Sequence, residues 1–351
     1  MILTNSNNNT IRNVVFFCCG LYACFCDNLC IPKAVSLACL LPAIYCIYIT
    51  ILSEQGKTFG FEGKSFIEWY GLFLLFVCIS ALWSPNAINS STESTETTVF
   101  VYKRAFNPFF LTLIYYQLKP SLEELYITLK GILVGALFGC IVGIVAESHL
   151  IGYGRFGAMS YGAGPEFGNV ALFGLIISLL FIYKEKKWIY VLLLVFNFFV
   201  IIISASRQPL VCGIICMSII HLLRKKNSLS SYVSFVIFSL AVGLLLFYLI
   251  MYIDFFYDAI GYRFQSMLDK DDGSDIERTI MCTYAMELFR DNPIAGVGVH
   301  GFATFFGRWY GWTVWSHCGY TEILSCYGII GFILYYRYFI RGGGCLLYVK
   351  K

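Results

Sequence analysis

Residues 126–147 read YITLKGILVGALFGCIVGIVAE. A bilayer core of about 30 Å takes roughly 20 apolar residues in a helix, so this run is long enough to cross it. Its apolar residues follow one another continuously, without the alternation of a membrane barrel strand. In hydrocarbon every backbone N–H and C=O needs a partner inside the segment, which makes a continuous apolar run helical. Comparable runs flank it, at 13–30, 34–52, 66–83 and 99–118 on one side and at 167–183, 188–205, 209–223, 229–253 and 319–340 on the other. Together they predict an all-α, polytopic integral membrane protein of about ten membrane helices, folded as one membrane domain over residues 1–351.

Composition agrees. Of the 351 residues 58% are hydrophobic and 13% charged, whereas a soluble domain carries about 25% charged residues. The formal net charge of +4 says little, and no nucleic-acid partner is expected. Orientation follows from the short basic loops, because Lys and Arg are retained on the cytoplasmic side. Lys184, Lys186 and Lys187 form one such loop and Arg224, Lys225 and Lys226 another. Alternation then places the N-terminus in the cytoplasm and leaves 84–98, 148–166, 204–208 and 254–318 outside. The first span has no small-residue cleavage site after a short apolar core, so it reads as a retained helix and not a signal peptide.

The cysteines do not read as a metal site. Cys18, Cys19, Cys24, Cys26 and Cys30 share one apolar span with no histidine, where cysteine acts as a small hydrophobe. Asp269-Lys270-Asp271-Asp272-Gly273 is similar to a calcium loop, but its glycine falls one place early and no glutamate closes it. Neither a metal nor an organic cofactor is expected. Cys282 and Cys318 both fall in the long outer loop and are able to pair in an oxidising compartment, a question two cysteines leave open.

The outer loop 254–318 carries the most information. Ser274 and Glu277 form an S-x-x-E capping box, and Ile276, Ile280, Tyr284, Ala285 and Leu288 recur at helical spacing until Asn292-Pro293 ends the run. This predicts an amphipathic helix on the membrane surface, with Arg278 on its polar side and Arg290 at its far end. An interfacial helix with snorkelling arginines has the same pattern. Gly296-Val297-Gly298-Val299-His300-Gly301 matches G-x-G-x-x-G, but that fingerprint has meaning only between a strand and a helix. Its glycines instead predict a sharp turn in which backbone comes close to a ligand or to helix ends.

These residues carry a resemblance. Asn292-Pro293-Ile294-Ala295-Gly296-Val297-Gly298 resembles the N-P-hydrophobic-x-G-x-G turn of the O-antigen polymerase and O-antigen ligase superfamily. Ser316-His317-Cys318-Gly319-Tyr320-Thr321-Glu322-Ile323-Leu324 resembles its histidine run, and Gly328-Ile329-Ile330-Gly331 follows at the family spacing. Ser204-Ala205-Ser206-Arg207 is similar to the family's S-x-S-R, and Arg155-Phe156-Gly157 to its R-x-G loop. Cys318 departs from the pattern, standing where Asn, Ser or Gln is usual.

The resemblance implies a GT-C-like membrane glycosyltransferase of the bacterial cytoplasmic membrane, with its active site on the outer face. It implies an undecaprenyl-diphosphate-linked oligosaccharide donor, a glycan or lipid-core acceptor, surrounding membrane lipids and a chain-length regulator as partners. Arginine binds phosphate oxygens bidentately and keeps its charge, which makes Arg207 and Arg278 diphosphate clamps under this reading. Lys103 and Arg104, four to five residues into the fourth expected span, are costly there unless they snorkel or face a polar cavity, and they are further diphosphate candidates. His317 is the candidate catalytic group, as general base on the acceptor hydroxyl or as a group that orients the acceptor or holds a phosphate. Tyr335-Tyr336 after Gly331-Phe332, with Glu322 in the histidine run, looks more like a polymerase than a ligase. A lipid-linked glycan flippase would also need many helices, but a transporter keeps its polar residues near mid-membrane and often shows repeated halves.

Overall fold

The computed structural model describes residues 5–53, 64–85, 106–150, 156–161, 164–224, 229–254, 273–311 and 315–348, with 257, 261 and 265 in addition. Every element among them is helical. In chain order they are α1 (Asn5–Phe25), α2 (Lys33–Ala38), α3 (Leu41–Ser53), α4 (Lys64–Ser80), α5 (Asn107–Leu118), α6 (Leu122–Ala146) and α7 (Ala158–Tyr161). There follow α8 (Gly164–Glu185), α9 (Trp188–Ile203), α10 (Arg207–Arg224), α11 (Leu229–Tyr252), α12 (Gly273–Asp291), α13 (Gly301–Tyr310) and α14 (Gly319–Tyr348). They fall into two compact units, one of Met1–Gln55 with Pro120–Asp271 and one of Gly56–Lys119 with Asp272–Lys351.

By length and composition α6 and α8 can each cross a membrane. Shorter apolar helices occupy Thr10–Phe25, Lys33–Tyr48, Ile67–Ser80, Trp188–Ile203, Arg207–Ile220 and Gly243–Tyr252. The expected span 34–52 is divided into α2 and α3. Pro42 has no N–H to give to the Ala38 carbonyl one turn back, so the ladder stops there. Of the expected span 99–118 only α5 is described, and Lys103 and Arg104 lie outside the described residues.

The first unit is built around α6. Ser121 caps it: Ser121 Oγ accepts from Glu124 N at 3.3 Å and the Glu124 carboxyl accepts from Ser121 N at 2.7 Å. The same carboxyl accepts from Arg12 of α1 at 2.6 and 3.0 Å, tying the two helices at one end. Along their length they meet backbone to backbone. A Cβ on Gly20 would strike the Thr128 carbonyl and one on Gly131 the Phe17 carbonyl. Small residues allow such approach where lipid offers no hydrophobic drive for helix association. The core beyond is Phe167, Ala171 and Leu175 of α8 against Val200, Ile201 and Ile202 of α9, with Leu210 of α10.

The second unit holds α4, α5 and α12–α14. Its core joins Phe73 and Val77 of α4, Met281 and Ala285 of α12, Phe302 and Phe306 of α13, and Cys326 and Tyr327 of α14. The buried stripe of α12 is therefore Met281 and Ala285, flanked by Tyr284 and Leu288. Ile276 and Ile280, expected on that stripe, are 63% and 40% exposed. The helix begins at Gly273, one residue ahead of the expected Ser274 cap, whose side chain is outside the described residues.

A break in α14 organises this unit. Gly328 leaves the helical region at φ 61°, ψ −163°. Such a break strips the next two amides of their acceptors one turn back, and it strips the Ser325 and Cys326 carbonyls of their donors. The turn 293–298 supplies all four. Ile329 N donates to the Pro293 carbonyl at 2.9 Å and Ile330 N to that of Ile294 at 3.3 Å. Val297 N donates to the Ser325 carbonyl at 2.9 Å and Gly298 N to that of Cys326 at 2.8 Å. The Asn-Pro turn and the broken helix are thus one structural device. Gly296, at φ 66°, touches the Cys326 backbone where no Cβ would fit. The G-x-G-x-x-G run closes on helix ends, as expected of its glycines, and has no strand before it among the described residues.

Candidate active site

His317 sits in the short turn before α14 and is solvent-exposed. Its backbone is left-handed, φ 57°, which a residue with a Cβ adopts only when its surroundings hold it there. The surroundings are Ser316, Thr321 and Glu322. Ser316 is fully buried, and its N–H donates to Glu322 Oε2 at 2.7 Å. Ser316 Oγ donates to the Cys318 carbonyl at 2.9 Å. Thr321 Oγ1 lies 3.0 Å from that carbonyl and 3.3 Å from Ser316 Oγ. Glu322 N closes the first rung of α14 on the Cys318 carbonyl at 3.0 Å. Residues on both sides of His317 are therefore fastened inward, and the imidazole is turned outward between them.

Arg278 is brought near this turn. Partial burial pushes the His317 imidazole below the ordinary histidine value, the Arg278 charge pushes the same way, and Glu277 opposes them. The neutral ring, the form that accepts a proton, is favoured. Arg278 itself is exposed on α12. His300 belongs to the interior instead: it is 5% exposed, precedes α13 with φ 58°, and packs edge-on against Trp315 at 4.7 Å between ring centroids. Its buried position suits packing. Within α14, Tyr320 of the first turn and Tyr336 stack at 5.0 Å between ring centroids.

Arg207 belongs to the first unit, at the start of α10. The preceding Ser204, Ala205 and Ser206 are buried, with Ala205 at φ 51°. Ser204 Oγ donates to the Ile201 carbonyl at 2.7 Å and Ser206 Oγ reaches the Ser204 carbonyl at 3.3 Å. The turn is thus locked to the end of α9, and Arg207 leaves it half-buried. A cation in the first turn of a helix works against the helix dipole, so helix stability does not account for it.

Two features escaped the sequence reading. Glu147, at the end of an apolar run, is fully buried and gathers Gly157 N at 2.6 Å, Met159 N at 2.8 Å and Ser160 N at 3.1 Å. It anchors the segment that follows Arg155, a residue outside the described ones. A carboxylate closing an apolar run is the signal that would have flagged it. The second is Glu322, quoted above as one letter of a motif: its partner is the amide before the histidine, a contact that spacing alone does not disclose.

Residues 192–336 match the family described as O-antigen ligase, a stretch that includes Arg207, Arg278, the Asn292–Gly298 turn, His317 and the α14 break. It spans less than half of the chain. No curated protein and no solved structure matches the sequence. The matched stretch contains the S-x-S-R turn, the docked Asn-Pro turn and the exposed histidine in the order the resemblance requires, and over residues 192–336 the chain is similar to the O-antigen ligase family.

Proposed function

We propose that this protein is a metal-independent membrane glycosyltransferase of the polymerase type. It moves undecaprenyl-diphosphate-linked glycan repeat units onto a growing glycan at the outer face of the bacterial cytoplasmic membrane. The carrying observation is the His317 turn: an exposed imidazole held in a left-handed backbone, biased to its neutral form and close enough to Arg278 to feel its charge. In this reading His317 takes the proton of the acceptor hydroxyl as that oxygen attacks the anomeric carbon. The glycosidic oxygen bonded to the diphosphate leaves with its electron pair, and Arg278 stabilises the charge that develops on it. Arg207 is assigned the same task by its motif, with Lys103 and Arg104 as further candidates.

The chain is read as polytopic, about ten helices with a cytoplasmic N-terminus and the 254–318 loop outside, supported by the apolar helices and the basic loops. A ligase that joins the glycan to a lipid core is the second reading, favoured by the description of the matching family. Reporter fusions in 84–98 and 254–318 are expected to signal the outer side, and fusions in 184–187 and 224–227 the cytoplasm. A cytoplasmic signal from 254–318 would remove the proposed site from its substrate. Chain-length analysis separates the two readings, because a polymerase makes long lipid-linked glycan without any lipid-core acceptor.

A further inference from the structure

Arg278 and Cys282 are one turn apart on α12, so both lie on the side of the helix that reaches the histidine turn. Cys282 Sγ donates to the Ser316 carbonyl at 3.7 Å. Cys318 follows His317, and its own carbonyl is the one that Ser316 and Thr321 hold. The Cys282 thiol therefore reaches the turn that carries Cys318, and each thiol lies close enough to the other to shift its titration. Both are free and half-exposed. We propose that Cys282 and Cys318 close into a reversible disulfide that fastens the His317 turn to the Arg278 helix.

The two thiols are matched for this exchange. The Thr321 amide, its hydroxyl and the Tyr320 amide hold the Cys318 thiol below its ordinary value against the effect of burial, whereas burial pushes the Cys282 thiol up. Cys318 is then the attacking thiolate. It displaces one sulfur from a disulfide oxidant, either a small-molecule disulfide or a partner oxidoreductase, and forms a mixed disulfide. Cys282 loses its proton and attacks the Cys318 sulfur, which expels the second sulfur. One S–S bond forms and one breaks, and the oxidant takes both electrons and both protons as two thiols. Neither cysteine is asked to touch substrate. The pairing rests on the second unit alone, and its consequence for transfer rests on the function proposed above.

The test uses the full-length protein in detergent, treated with oxidised glutathione, then alkylated without reductant and mapped by mass spectrometry. The expected result is a crosslinked peptide pair containing Cys282 and Cys318, loss of alkylation at both, and return of both labels after dithiothreitol. Cys282→Ser is expected to leave Cys318 as a glutathione adduct, which shows that its partner is Cys282. Persistence of both alkylated thiols in the folded wild-type protein overturns the proposal, and so does a pairing of either cysteine with a different one. Neither result depends on glycan transfer, so the failure of the pairing and the failure of the enzyme assignment are told apart.

Discussion

Glu322→Ala tests how the histidine is presented. The carboxyl accepts the N–H of Ser316, a residue with no solvent exposure, at 2.7 Å. Removing it leaves a buried amide without that acceptor, at about 1–3 kcal/mol. His317 at φ 57° itself costs about 1–2 kcal/mol relative to ordinary backbone, so the loss is of the size that releases the turn. At about 1.4 kcal/mol per tenfold, transfer should fall by roughly 5-fold to 150-fold, with the population of correctly turned histidine. Glu322→Gln keeps an acceptor oxygen and should stay within about 5-fold of wild type. The assay is turnover of lipid-linked donor by purified protein at saturating donor, with membrane protein level measured for each variant. The loss should fall on kcat, since the donor contacts assigned to the arginines are untouched. Equal activity of wild type, Gln and Ala variants would refute the reasoning, as would a loss shared equally by Gln and Ala.

Other expectations follow from the same geometry. Glu277→Gln removes the charge that raises the His317 value, so the acid limb of the rate profile should move to lower pH; Arg278→Gln removes a charge that lowers it, so in residual activity the limb should move up. A common direction for both shifts would show that another group titrates. Arg278→Lys and Arg207→Lys should each raise donor KM or lower donor use at normal expression, because a point charge does not reproduce bidentate phosphate binding. Donor titration of each variant measures this, and wild-type behaviour of both would remove them from the site. Gly328→Ala should lower thermal stability by more than about 2 kcal/mol, since its φ is 61° and a Cβ there would strike the Ile294 carbonyl. An unchanged melting profile would mean that the broken helix is not held by the Asn-Pro turn.

What was legible in the sequence and what was not divide on physical grounds. Hydrophobic length is a local property, and the helix at 126–147 and its neighbours could be read from it, as could a superfamily resemblance carried by short motifs. The break in α14 was not legible. All four backbone bonds that satisfy it come from residues at least 28 positions upstream, and which glycine of Gly328-Ile329-Ile330-Gly331 turns left-handed depends on those bonds. The stripe of α12 was misread for a related reason: period gave Ile276 and Ile280 the same standing as Ala285, and packing against α13 and α14 chose Met281 instead. His317 was named from its motif, but its outward turn depends on Glu322 and Ser316, and the closeness of Arg278 depends on how α12 packs in the unit.

The central claim is that His317 acts on the acceptor while the arginines hold the donor, and complementation of a deletion strain with His317→Ala tests it most directly. The account predicts normal protein level, donor still bound, and no long-chain glycan. Long-chain glycan at wild-type amount from His317→Ala, at wild-type expression, would contradict it.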